Sequence, residues 1–175
     1  MRAVYVLEHA GWDDEKNDVT NGGLQECLAL KQRLPQFDLI ICSRAYRSKR
    51  TAELVTGKKP HVDGRAGGLD VYGWWGDQEP KQPLLPGQYD DHAGLPIHHL
   101  PAKKDGEQLI ELIRDLHEQL PRDGKALIIS HNRNMIAAEA IMNKEKYVSD
   151  DKVFGELQGF VVNDDDSLQS SEELF

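Results

Sequence analysis

The chain has 175 residues, of which 39% are hydrophobic and 29% charged, a size and composition that fit one globular domain and exclude a disordered or a membrane-embedded class. A net charge of −9 weighs against a general nucleic-acid binder, which meets phosphate backbones with clustered Lys and Arg, and no apolar run is long enough to span a bilayer. The opening Met1-Arg2-Ala3-Val4-Tyr5 carries no signal-like apolar stretch, so a cytoplasmic address with neither membrane nor nucleic-acid partner is expected.

The first predicted element is a strand over about residues 3–8, Val4-Tyr5-Val6-Leu7-Glu8, closed by His9 and Ala10. A polar loop leads to a helix near 22–34, in which Leu24, Cys27, Leu28, Lys31 and Leu34 recur at helical spacing until Pro35 stops it. Leu39-Ile40-Ile41-Cys42 reads as a second strand. Ser43 and Arg44 follow, then a helix near 45–56 that carries Arg47 and Arg50 and ends at Gly57. These strands are apolar without alternation, the pattern of a sheet covered by helices on both faces.

From about 58 to 101 glycines and prolines accumulate, which predicts a lid-like insertion anchored by Tyr72, Trp74 and Trp75. An amphipathic helix with Leu109, Ile110, Leu112, Ile113, Leu116 and Leu120 comes next, then a strand at 126–130 closed by Ser130 and His131. The helix predicted at 132–142 is apolar nearly all round and should be buried. A last strand near 160–162 completes a domain over 1–163, and 164–175 reads as a solvated acidic tail. Cys27 and Cys42 are expected to be buried as small hydrophobes rather than joined.

The fold class that follows is a three-layer α/β/α sandwich with a mostly parallel central sheet. In open sheets of this kind ligands bind beyond the carboxyl ends of the strands. Three such ends carry polar chemistry here: His9, Ser43 with the basic segment behind it, and His131.

Those residues resemble the histidine phosphatase superfamily, the phosphoglycerate mutase-like proteins. Glu8-His9-Ala10 stands where that family has Arg-His-Gly or Arg-His-Ala. Thr20-Asn21-Gly22-Gly23-Leu24-Gln25 is similar to its pattern at the first helix, and Ser43-Arg44-Ala45-Tyr46-Arg47-Ser48-Lys49-Arg50-Thr51-Ala52 keeps the serine, central arginine and Thr-Ala pair of its second motif. Gly106-Glu107-Gln108 resembles the Gly-Glu-Ser element, and Ser130-His131-Asn132 the final strand motif. The resemblance implies His9 as a nucleophile that becomes phosphohistidine, with Arg47 and His131 around the transferring group. It implies a general acid from a stretch that Leu69-Asp70-Val71-Tyr72-Gly73-Trp74 resembles, which makes Asp70 the candidate. Ser43, Asn132 and the start of the helix after His131 would complete the phosphate site.

Glu8 departs from the family pattern, because it replaces an arginine that binds phosphoryl oxygens. A carboxylate about 4 Å from an anionic phosphoryl group repels it by about 4 kcal/mol at an effective dielectric near 20. Arg44, where the family has proline, and Arg133, two residues after His131, are the expected sources of a replacement charge. The expected function is hydrolysis of a phosphomonoester or phosphoramidate through His9, on a small phosphorylated substrate or a phosphoprotein, without metal or organic cofactor. The alternative is a weakened relative that uses the same pocket to bind an anionic ligand or protein, and a more distant one is an unrelated metal-dependent hydrolase. His61, His92, His98 and His99 fit no compact metal spacing and read as surface histidines.

Overall fold

The longest apolar runs of the sequence form the middle of one sheet, and the helices cover it from both sides. A computed structural model describes residues 1–67, 103–145 and 153–170. In chain order the elements are β1 (Ala3–Glu8), β2 (Trp12–Asp13), β3 (Asp18–Val19), α1 (Asn21–Lys31), β4 (Leu39–Cys42), α2 (Tyr46–Thr56), β5 (His61–Val62), a 3-10 turn (Gly64–Ala66), α3 (Lys103–Gln119), β6 (Lys125–Ser130), α4 (Asn132–Met142), β7 (Gly159–Asn163) and β8 (Leu168–Ser170). Among the described residues six strands form the main sheet in the order β5-β4-β6-β1-β7-β8. The β5-β4-β6-β1 part is parallel, and β7 and β8 add antiparallel neighbours at the far edge. The three-layer, mostly parallel expectation holds.

Strand side chains divide between two cores, as the alternation of Cβ directions requires. Tyr5, Leu7, Leu127 and Ile129 pack with Cys27 and Leu30 of α1 and Ala52 and Val55 of α2. Val4, Val6, Ala126 and Ile128 pack on the other face with Leu109, Leu112, Ile113 and Leu116 of α3 and Met135 and Ala138 of α4. Each Val, Leu, Ile or Met among them contributes about 1.5–3 kcal/mol on burial. Gly106 lets the two covering helices on this second face approach, since a Cβ there would lie 2.6 Å from the Ala137 carbonyl carbon.

Helix α1 is shorter than its apolar pattern and turned relative to it. Gly23, Cys27 and Leu30 are its buried residues, whereas Leu28 is 44% exposed. The buried stripe thus runs 23-27-30; of the expected series Cys27 is buried and Leu24 and Leu34 pack against the same core, whereas Leu28 and Lys31 face outward. Thr20 caps it by accepting from the Gly23 N–H at 3.0 Å. Residues 164–167 are exposed, and the chain then pairs again as β8, whose Gln169 and Ser170 are also exposed. Both cysteines are buried and free, and burial pushes the Cys27 and Cys42 thiols up to about 12 and about 11. No described helix is long and apolar enough to cross a membrane. The insertion expected over about 58–101 begins with β5 and the 3-10 turn; from residue 68 on, with Asp70, Tyr72, Trp74, Trp75, His92, His98 and His99, it lies outside the described residues.

Candidate active site

Parallel pairing aligns Glu8 at the end of β1 with Ser130 at the end of β6, and Cys42 with Ile129. Their following residues, His9, His131 and Ser43, therefore emerge together at the carboxyl edge of the sheet. The His9 and His131 rings meet edge to face with centroids 5.2 Å apart. His131 is buried, and its Nε2 hydrogen-bonds the hydroxyls of Ser43 at 2.7 Å and Ser48 at 3.1 Å. Thr51 joins the second motif to the first. Its Oγ1 donates to the Arg47 carbonyl at 2.8 Å and accepts from the Ala10 N–H at 3.1 Å.

His9 Nδ1 lies 2.8 Å from the Ala10 carbonyl. A carbonyl only accepts, so Nδ1 carries the hydrogen and the lone pair of the neutral ring is on Nε2. Glu8 Oε1 stands 3.0 Å from that Nε2. Burial pushes the Glu8 carboxyl up to about 8 and the Glu156 charge adds to this, against the Arg47 charge and the backbone N–H groups of Asn132 and His9. Burial likewise pushes His9 down to about 4; Arg47 lowers it further, while the Ala10 hydrogen bond acts the other way. His131 is held well below its usual value, first by burial and then by His9 and Arg47. The Glu8–His9 contact at neutral pH is therefore a hydrogen bond from a carboxyl O–H to an imidazole nitrogen, not an ion pair.

Of the residues singled out in the sequence, His9, His131 and Arg47 share this site with Glu8. Ser43 is fully buried behind it as a partner of His131. The Asn132 side chain is taken up by the backbone of Phe154, donating to its carbonyl at 2.9 Å and accepting from its N–H at 2.6 Å, so only its main-chain N–H faces the site. Arg133 Nε lies 3.1 Å from Asp105 Oδ2, with both side chains buried, and Arg44 is exposed with its guanidinium against Gly64. The compensation expected from Arg133 is directed to Asp105. Arg50 is a surface charge paired with Asp18 at 3.0 Å, and Glu107 is exposed.

Three contributors carry no role in the sequence reading. Ser48 and Thr51 are spaced one and four residues beyond Arg47, and Thr51 shares its helix face, which was a usable signal. Glu156, exposed on the segment before β7, brings its carboxylate against Gly11 and its charge to bear on Glu8. No motif marks it.

A scan against protein-family models and a search of curated proteins give no match. Solved structures do match over nearly the whole chain. A mycobacterial glucosyl-3-phosphoglycerate phosphatase in complex with VO3 is 17% identical, with a TM-score of 0.66 and 97% of each chain covered. An Entamoeba histolytica phosphoserine phosphatase in complex with 3-phosphoglyceric acid is 16% identical, with a TM-score of 0.67 and 100% of each chain covered. Bacillus stearothermophilus YhfR is 17% identical, with a TM-score of 0.68, covering 98% of this chain and 96% of its own. The chain shares the phosphoglycerate mutase-like fold of these structures.

Proposed function

We propose that the protein hydrolyses phosphomonoesters or phosphoramidates by transferring the phosphoryl group to His9 Nε2 and then to water. The observation that carries this reading is the Nδ1 hydrogen bond of His9 to the Ala10 carbonyl, which leaves the ring's lone pair on Nε2, free to attack once the Glu8 O–H turns from it to a phosphoryl oxygen. The fold likeness to phosphatases supports it. In the first step Nε2 bonds to phosphorus while the bond to the leaving oxygen breaks, and that oxygen takes a proton from a general acid. In the second step water attacks the phosphohistidine and releases inorganic phosphate. Arg47 and the N–H groups at the start of α4 would stabilise the equatorial oxygens. Asp70 is the proposed proton donor to the leaving oxygen.

Glu8 fits an equatorial role better than a leaving-group role. Its Oε1 is 3.0 Å from the attacking nitrogen, whereas in-line displacement puts the leaving oxygen on the opposite side of phosphorus. A protonated Glu8 can give one neutral hydrogen bond where the family has a cation. Only one charged donor, Arg47, is then assigned to the phosphoryl group, and weak turnover follows. A small phosphorylated molecule is the proposed substrate, and a cytoplasmic setting is part of the same proposal.

The Glu8 contact on Nε2 also favours a second reading, in which the pocket binds an anionic ligand without turnover. An assay of p-nitrophenyl phosphate and phosphoramidate hydrolysis separates the two. Turnover that drops by roughly a thousandfold or more in His9→Ala supports the enzyme. Turnover unaffected by that change overturns the phosphohistidine route, and phosphate binding without turnover supports the second reading.

A further inference from the structure

The residue change that removes a cation from this pocket also installs a metal ligand beside two imidazoles. Glu8, His9 and His131 each offer a ligand atom, and all three atoms lie within 4.8 Å of one another, the only such group found among the described residues. In a tetrahedral shell with bonds of about 2.0–2.2 Å, ligand atoms stand about 3.3 Å apart. The Glu8 Oε1 to His9 Nε2 edge is already 3.0 Å, and the other edges, within 4.8 Å, close the triangle with a shift of at most about 1.5 Å.

Two observations independent of this spacing point to a ligand. Glu8 is 6% exposed, and its Oε2 has no hydrogen-bond partner among the described residues, so the carboxyl group keeps one buried oxygen unsatisfied. Both rings are also oriented from behind, His9 by the Ala10 carbonyl at 2.8 Å and His131 by the Ser43 and Ser48 hydroxyls at 2.7 and 3.1 Å. Such outer hydrogen bonds fix tautomer and ring direction in metal-binding histidines. The Glu156 carboxylate adds negative potential, while Arg47 opposes a cation.

We infer that Glu8, His9 and His131 form a binding site for one divalent transition-metal ion of the zinc type, with coordination positions left open to water or a phosphate oxygen. Two imidazoles and a carboxylate suit borderline ions over magnesium or calcium, which prefer all-oxygen sets. The bound ion takes the His9 Nε2 lone pair, so metal occupancy and phosphoryl transfer through His9 exclude each other. The metal is therefore an inhibitor of the proposed reaction, and its binding does not depend on that reaction.

The test is titration of the chelated, dialysed full chain with Co²⁺, followed by visible absorption and by calorimetry without substrate. One ion per chain should bind with the absorption of a four- or five-coordinate site. Glu8→Gln, which keeps the side-chain shape, and His9→Ala should each weaken binding by about tenfold or more, with His61→Ala on exposed β5 unchanged. Absence of saturable one-to-one binding, or equal affinity in wild type and Glu8→Gln, overturns the proposal. With p-nitrophenyl phosphate present, the same titration should abolish hydrolysis at the same midpoint, and undiminished turnover at saturation overturns the exclusion. A protein that lacks phosphatase activity altogether leaves the substrate-free isotherm intact, so the two readings fail separately.

Discussion

At the scale of single residues, Glu8 decides how this pocket behaves. Below about pH 8 it is neutral and tolerates a phosphoryl anion; above that it becomes a second negative charge beside it. His9 loses its lone pair to a proton below about 4. The pH profile of kcat/KM in chelator-treated protein should therefore rise through about 4 and fall above about 8, and Glu8→Gln should remove the upper fall. Glu8→Arg should raise kcat/KM by about a hundredfold at neutral pH, and by more at pH 9, because it adds a cation and deletes the titrating acid.

Stability carries the same signature. The folded-state value of Glu8 is raised from 4.5 to about 8, so its contribution is fully present below 4.5 and is lost as pH rises through about 8. Glu8→Gln should match wild type near pH 4 and exceed it by roughly 3–5 kcal/mol at pH 9 in urea unfolding. A constant difference across this range would remove the buried, protonated carboxyl from the account.

At the scale of elements, the joint between α3 and α4 supports the His131 edge of the site. Asp105 at the start of α3 and Arg133 in the first turn of α4 form a buried ion pair at 3.1 Å, just where Gly106 brings the helices together. Asp105→Ala leaves the Arg133 charge buried without that carboxylate and should cost about 3–5 kcal/mol, measured by chemical denaturation. Adding Arg133→Met should restore part of the loss; no recovery would show that the pair is not the cause.

Legibility in the sequence varied element by element for physical reasons. Strands β1, β4 and β6 and helices α2, α3 and α4 were readable because long apolar runs and a helical period record burial directly. Strands β2, β3, β5 and β8 were not, since two or three residues cannot show a period. In α1 the reading of Cys27 as buried holds, but Leu28, which shares its period, is exposed, and Gly23 and Leu30 complete the buried face. In the site, His9, Arg47 and His131 were legible from strand-end position and motif. The destinations of Arg133 and the Asn132 side chain were not, because each partner, Asp105 or Phe154, lies over twenty residues away in sequence.

At the scale of the whole molecule, parallel pairing of β1, β6 and β4 gathers residues 9, 43, 47 and 131 at one edge of a doubly covered sheet. The two cores behind that edge hold it rigid, so cutting either should loosen the site from a distance. Leu127→Ala, in the core under α1 and α2, should cost about 2–5 kcal/mol and lower both the melting temperature and turnover although it alters no residue of the pocket.

The central claim is that His9 Nε2 accepts a phosphoryl group. It is tested most directly by mixing the metal-free protein with phosphoramidate near pH 6, quenching in alkali, and locating the added phosphoryl group by peptide mass analysis. A phosphoryl group on His9 that is stable to alkali, labile to acid and absent from His9→Ala is the predicted result. Turnover of the same donor with His9 never phosphorylated, including under rapid quenching, would contradict it.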